Sequence, residues 1–260
     1  MDPILSGNED IACATCHHPN EGYSDGIARS IGTGGIGLGP NRTGNTQTSR
    51  NSPTVINTAY NGIDQNGNYN PSQAQMFWDN RTQSLELQAI QPILAAAEMR
   101  GTEIPEQEIV ETVLNRLQNI PAYVQLFDNF FGGDNPINES NLGKAIASFQ
   151  RNIIASNSPF DEYMRGDLSA MTQQQINGMM EFIEVGCADC HSGPMLSDYQ
   201  LHNIGVPNDG INDNGGGNNQ FRTPTLRNLG STAPYMHNGT FDDLNEVMRH
   251  YDRNGGNNNK

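Results

Sequence analysis

Two pentapeptides carry the densest chemistry in the chain: Cys13-Ala-Thr-Cys16-His17 in "IACATCHHPN", and Cys187-Ala-Asp-Cys190-His191 in "GCADCHSG". Together they use all four cysteines. Three chemistries compete for such a set: one four-thiolate zinc site, two redox disulfides, or two covalently attached haems. Haem attachment explains the pattern best. Two thiols three residues apart add to the two vinyl groups of a porphyrin, and the next residue, His17 or His191, then lies under the iron as axial ligand. Zinc and redox sites need no histidine immediately after the second cysteine.

The histidine distribution adds to this. The six histidines are His17, His18, His191, His202, His237 and His250, so none lies between 19 and 190. An electron-carrying haem usually has two strong axial ligands, and His18 points the wrong way to reach across the ring. The sixth ligand at the first haem is therefore a methionine, with Met76 and Met99 available, or the position is open. An open iron binds small ligands such as peroxide and belongs to an enzyme rather than a carrier.

The surrounding chain must position these groups, and it repeats itself. "RNSPTVIN" (50–57) follows the first motif and "RTPTLRN" (222–228) the second. Both run Arg, Pro-Thr, Val or Leu, one residue, Asn, and the offset between them nearly equals that between the cysteine pairs. Helical periodicity is clear in "EQEIVETVLNRLQ" after Pro105, with Ile109, Val113 and Leu117 on one face. It recurs in "NESNLGKAIASFQRNIIAS" through Leu142, Ile146, Phe149 and Ile153. "MTQQQINGMMEFIEVG" opens with Thr172 and Gln175 in capping-box spacing, stops at Gly186 and delivers Cys187. No run alternates for long as a half-buried strand does. The expected fold is mainly α: two c-type cytochrome-like haem domains, 1–158 and 159–260, with long loops and little β structure. "NDGINDNGGGNNQ" (208–220) reads as a flexible surface loop.

Composition narrows the partners. The chain has 260 residues, 35% of them hydrophobic, and a formal net charge of −15. The core is thin for the length, which two porphyrins would help to fill. The acidic balance argues against nucleic acid or an anionic membrane and suits a basic protein partner. No apolar run reaches the length of a membrane span. "DPILSGNED" follows Met1 directly, without a secretory leader.

Over nearly its whole length the sequence resembles the dihaem cytochrome c peroxidase and MauG-like superfamily. The resemblance rests on "DPILSGNEDIACATCHHP", "RNSPTVINTAYN", "MFWDNRTQSLELQAIQPI" with "AAAEM", "GCADCHSG", and "FRTPTLRNLGSTAPYMHNGTFDDLNEVMRHYDR". It implies that hydrogen peroxide reacts at the N-terminal haem while the C-terminal haem stores or relays electrons. By the same resemblance, Glu98 is the distal acid–base, and Gln88 and Pro92 line the distal pocket. Trp78 stands between the haems as an electron or hole relay. The resemblance further implies a calcium ion held by the Asn51 side chain and the Thr232 and Pro234 carbonyls; neutral oxygens suit a hard cation, although this set lacks a carboxylate.

The second haem divides the branches. The peroxidase branch ligates its distal face with methionine, the MauG-like branch with tyrosine. Gap-free alignment places Tyr251 there, with Met248 and Met236 as alternatives. A phenolate lowers the haem potential and suits storage of two oxidising equivalents for a protein substrate; a thioether suits electron uptake from a small cytochrome or cupredoxin. "GIARSIGTGGIGLGPNR" lacks the removable distal histidine of the peroxidase branch, so the MauG-like branch is favoured. The family pattern has a helix before "DPILSGN" and a segment after "HYDR", so a chain cut short at both ends is expected. Covalent haem is assembled outside the cytoplasm, which implies a periplasmic protein. Homodimers are common in the peroxidase branch, which suggests a homodimer. The rival from another class is a non-catalytic dihaem electron carrier.

Overall fold

Helix α4 (Glu106–Gln118) organises the first half. Glu106 and Glu108 sit in its first turn and Arg116 in its last, each matched to the helix dipole. Its Ile109, Val113 and Leu117 are 0–1% exposed. In this computed structural model, which describes residues 2–254 except 65 and 209, these three join Ile4, Ile11, Ile90, Ile93, Met99, Phe127, Ile137 and Leu142 in the main core. The other helices of this half are α1 (Cys13–Cys16), α2 (Leu85–Gln88), α3 (Gln91–Leu94), α5 (Pro121–Phe131) and α6 (Glu139–Arg151).

The second half contains α7 (Pro159–Met164), α8 (Gln173–Glu184) and α9 (Leu244–Asn254). The Thr172–Gln175 capping box forms as expected: Gln175 N–H donates to Thr172 Oγ1 at 3.3 Å and Thr172 N–H to Gln175 Oε1 at 2.8 Å. β structure is confined to two antiparallel ladders, β1 (Gln75–Met76) with β2 (Thr82–Gln83) and β3 (Leu201–His202) with β4 (Phe221–Arg222). The mainly α expectation holds. No helix among the described residues is long and apolar enough to cross a membrane.

Two expectations need correction. Helix α6 ends at Arg151, so Ile153 lies beyond it, and Phe149 is 52% exposed; the buried residues are Leu142, Gly143 and Ala147. The reason is Gly143. A Cβ there would stand 2.5 Å from Glu86 O, so α2 lies directly against the helix backbone, a contact that apolar periodicity cannot register. The tract 208–220 (Asp209 lies outside the described residues) is not a free surface loop. Asp213 makes a two-pronged ion pair with Arg50, and Gly216 packs on Leu201 and the Asp79 carbonyl.

The internal repeat is visible atom by atom. Ser24 Oγ donates to Ser52 O and Ser197 Oγ to Thr223 O, both at 2.7 Å. Thr54 Oγ1 donates to Gly22 O and Thr225 Oγ1 to Met195 O, both at 2.6 Å. Asn57 and Asn228 take left-handed φ values of 64° and 63°, and each opens a short 3-10 turn. Asparagine tolerates that conformation better than other residues with a side chain. Asn57 is also fully buried and pairs with both backbone groups of Ala155 at 2.8 Å. Asn57→Ala is therefore expected to destabilise the fold by about 2–4 kcal/mol, from two lost buried hydrogen bonds and a strained φ. Denaturant unfolding measures it, and the exposed Asn152→Ala serves as a near-neutral comparison.

Candidate active site

Each Cys-x-x-Cys-His pentapeptide is a single tight turn. His17 N–H donates to Cys13 O at 2.9 Å and His191 N–H to Cys187 O at 3.0 Å. This puts both thiols and the imidazole of each motif on one short stretch. The rings are aimed the same way. His17 Nδ1 donates to Tyr23 O at 3.1 Å and His191 Nδ1 to Leu196 O at 3.0 Å. A carbonyl only accepts, so Nδ1 carries the proton and Nε2 keeps the lone pair that binds a metal. Tyr23 and Leu196 reach these positions with φ of 58° and 52°. Burial holds both imidazoles below the ordinary histidine range, in the neutral form a metal requires.

The cysteines are free thiols. Burial pushes Cys16 up to about 12, with Asp25 and Glu98 adding to the shift. Cys13 and Cys16 pack against the main core. The second half is different: among the described residues beyond 158, Met195 is the only hydrophobic side chain in the buried core. Helix α8 buries none of its residues, and Met180, Ile183 and Val185 around its end are more than half exposed. Four thiols, two Nε2 donors and an apolar neighbourhood short of packing partners fit two covalently attached haems. They do not fit a zinc site, since the two thiol pairs belong to separate cradles.

Glu98 lies on a π-helical turn, Ala96–Arg100, held from both ends. Thr33 N–H donates to Glu98 O at 2.9 Å and Gly7 N–H to Met99 O at 2.8 Å. Arg100 closes the turn through Leu94 O at 2.8 Å and Ile104 O at 3.0 Å. Two glycines let neighbouring chain approach. A Cβ on Gly32 would stand 1.9 Å from Ala97 O, and one on Gly7 1.8 Å from Arg100 O. Burial raises the Glu98 carboxyl above the ordinary carboxylate range, with the Arg81 charge opposing weakly. Its charge also adds to the upward push on the Cys16 thiol. Gln88 closes α2 and Pro92 sits in α3, both half-buried on the approach to that turn. Met76 and Met99 are core residues, 3% and 4% exposed, and Asn61 Nδ2 donates to the Met76 sulfur at 3.6 Å.

Trp78 is gripped from both halves. Its Nε1–H donates to Asn51 O at 3.0 Å, and its carbonyl accepts from Arg222 N–H at 2.7 Å. Asn51 in turn donates its N–H to His237 O at 2.7 Å and its Nδ2 to Ile27 O at 3.0 Å. Thr232 and Pro234 lie on the segment that follows the second 3-10 turn, where Ser231 and Thr232 pack on Gly22. In α9, Tyr251 is half-buried. Burial pushes its phenol up to about 12, and the charges of Cys190 and Cys187 add to the shift. Met248 is 62% exposed, and Met236 is half-buried with φ of 76°.

Sequence reasoning missed one pair. "Ser24-Asp25" and "Ser197-Asp198" stand at matching places after the two motifs, and that repeated dipeptide was the available signal. Asp25 is fully buried with Oδ2 unpartnered, whereas Asp198 pairs with His202 at 2.8 Å. Among the described residues, Cys190, Asp198 and His202 are the one group of acidic, histidine and cysteine donors close enough to share a metal, within 4.8 Å of one another. A thioether at Cys190, as in an attached haem, would leave only two donors of that group.

Comparison with known proteins agrees with this architecture. Residues 1–169 match the family described as di-haem cytochrome c peroxidase. Methylamine utilization protein MauG of Methylorubrum extorquens is 36% identical over 98% of this chain and 67% of its own length. Cytochrome c551 peroxidase of Pseudomonas aeruginosa is 31% identical over 95% of this chain and 68% of its own. A crystal structure of a MauG-like protein associated with microbial copper homeostasis superposes with a TM-score of 0.77 at 25% identity, covering 95% of this chain and 72% of that one. The diheme peroxidase BthA from Burkholderia thailandensis shares the fold, with a TM-score of 0.74 at 20% identity over 96% of this chain and 68% of that one. The chain belongs to the di-haem cytochrome c peroxidase family. It is a redox enzyme of the dihaem peroxidase type, and the family implies two c-type haems.

Proposed function

We propose that the chain reduces hydrogen peroxide at a haem held by Cys13, Cys16 and His17, while a second haem on Cys187, Cys190 and His191 passes electrons to it through Trp78. The observation that carries this reading is Glu98, a half-buried carboxyl whose pKa is raised by burial, on a clamped turn from which its charge acts on the Cys16 thiol. When bound, a haem iron with an open face supplies the redox-active Lewis acid at which the peroxide bond is cleaved. The protein's own part is proton handling. The Glu98 carboxyl accepts the proton of the inner peroxide oxygen and returns it to the outer one. Gln88 and Pro92 line that space.

Core burial of Met76 and Met99 supports an open sixth position over the carrier reading, because each sulfur already serves as a packing group. At the second site Tyr251 is half-buried and its phenol feels the charges of Cys190 and Cys187, while Met248 is exposed, which supports tyrosine ligation and the MauG-like branch. On this reading the partner is a protein substrate. A cytochrome or cupredoxin donor belongs to the peroxidase branch, whose relative here is the Pseudomonas cytochrome c551 peroxidase. The net charge of −15 suits a basic partner in either case. A calcium ion at Asn51, Thr232 and Pro234, a periplasmic location and a homodimer complete the proposal.

Electron paramagnetic resonance of the ferric protein tests it. One high-spin and one low-spin haem, both altered by peroxide, are expected; two low-spin haems that ignore peroxide would establish the carrier. Tyr251→Phe is expected to change the low-spin spectrum of the second haem, while Met248→Leu leaves it intact. The reverse pattern would assign the ligand to Met248.

A further inference from the structure

The bridge between the halves contains an ionic network outside the site residues named so far. Arg50 directly precedes Asn51, whose carbonyl holds the Trp78 indole. Its guanidinium reaches two acids on separate segments. Nε and Nη2 bond the two oxygens of Asp213 at 2.5 and 2.7 Å, and Nη1 lies 2.8 Å from Asp79 Oδ2. Asp79 adjoins Trp78. All three side chains are 12–17% exposed. The segment bearing Asp213 is itself built onto the bridge: Gly215 N–H donates to Asp213 Oδ1 at 2.9 Å, and a Cβ on Gly216 would stand 3.1 Å from Asp79 O. One guanidinium thus ties together the residue next to the indole's acceptor, the residue after the indole, and a loop of the second half. Arginine suits this role, since its planar fork meets one carboxylate with two bonds while its charge also pairs with a second.

We propose that the Arg50–Asp79–Asp213 network positions the Trp78 relay, with Asp213 the latch contributed by the C-terminal half. The proposal rests on the relay reading above. Arg81 pairs with the other Asp79 oxygen at 2.8 Å, so loss of Arg50 leaves Asp79 neutralised and releases mainly Asp213. The network then acts on electron passage by fixing where the indole stands.

The test uses protein with both haems attached. Trp78 is the only tryptophan, so the indole N–H band in ultraviolet resonance Raman reports its hydrogen bond directly. Asp213→Asn and Arg50→Gln are expected to shift that band and to slow the response of the second haem's absorption to peroxide several-fold. Arg50→Lys should fall between them and wild type, since a point charge cannot serve both acids in the same way. If Arg50→Gln fails to fold, Asp213→Asn decides alone. An unchanged band and unchanged rate in Asp213→Asn would overturn the proposal. Trp78→Phe separates the two ideas: if it leaves the response rate unaltered, the relay reading fails, and the Raman band in Asp213→Asn still shows whether the network holds the indole.

Discussion

Glu98→Gln is expected to lower peroxide turnover by about 10²- to 10⁴-fold, the range associated with losing a positioned acid–base. Both haems should stay attached, because Glu98 has no part in either Cys-x-x-Cys-His turn. Glutamine keeps the size of the side chain and removes the titrating proton, so the loss should fall on turnover and not on haem content. Stopped-flow absorbance after mixing with peroxide measures the effect, and wild-type rates in the variant would remove Glu98 from the mechanism. Stability should move the other way. The folded state raises the Glu98 pKa above its ordinary value of 4.5, so the native protein prefers the protonated side chain. That preference stabilises the fold fully below the ordinary value and is lost as pH rises through the raised one. Glutamine resembles the protonated form. The variant should therefore be more stable than wild type at neutral pH and equal to it in acid, as thermal unfolding at two pH values would show. Gained stability with lost activity is the usual mark of a strained functional group.

Gly32→Ala is the second large effect. Its Cβ would stand 1.9 Å from Ala97 O and 2.9 Å from Glu98 O, where the obstructing atoms are backbone and cannot rotate away. Either the 30–34 segment or the Glu98 turn must shift. The expected cost is about 3 kcal/mol, at the upper end of overpacking penalties. For a chain of this size that is a fall in unfolding midpoint of roughly 6–12 °C. Because the turn carries Glu98, peroxide turnover should fall as well, and haem attachment should persist. Gly34→Ala is the matched comparison: it introduces the same methyl two residues on, with nothing within 4 Å, although its φ of 76° adds modest strain. Equal midpoints for the two variants would show that the turn is not clamped as described.

Much of this molecule is decided locally. The two pentapeptides, the α4 face of Ile109, Val113 and Leu117, and the Thr172–Gln175 cap depend on residues a few positions apart, and each forms as its sequence expects. The repeat was legible for the same reason, since Pro-Thr and the left-handed Asn act within one turn. Other features required the folded chain. Phe149 keeps the helical period of α6 yet faces outward, because Gly143 brings α2 onto a neighbouring face. The 208–220 tract has the composition of a loose loop, but Asp213 finds its partner Arg50 far along the chain.

The candidate site divides along the same line. By itself the sequence determined which residues can bind haem, because attachment is chemistry within five consecutive positions. Only the tertiary structure decided that Glu98 stands half-buried on a clamped turn, that Trp78 is held from both halves, and that Tyr251 is half-buried while Met248 is exposed. Burial and charge at those side chains depend on segments distant in sequence, and no local pattern of residues encodes the distance between them.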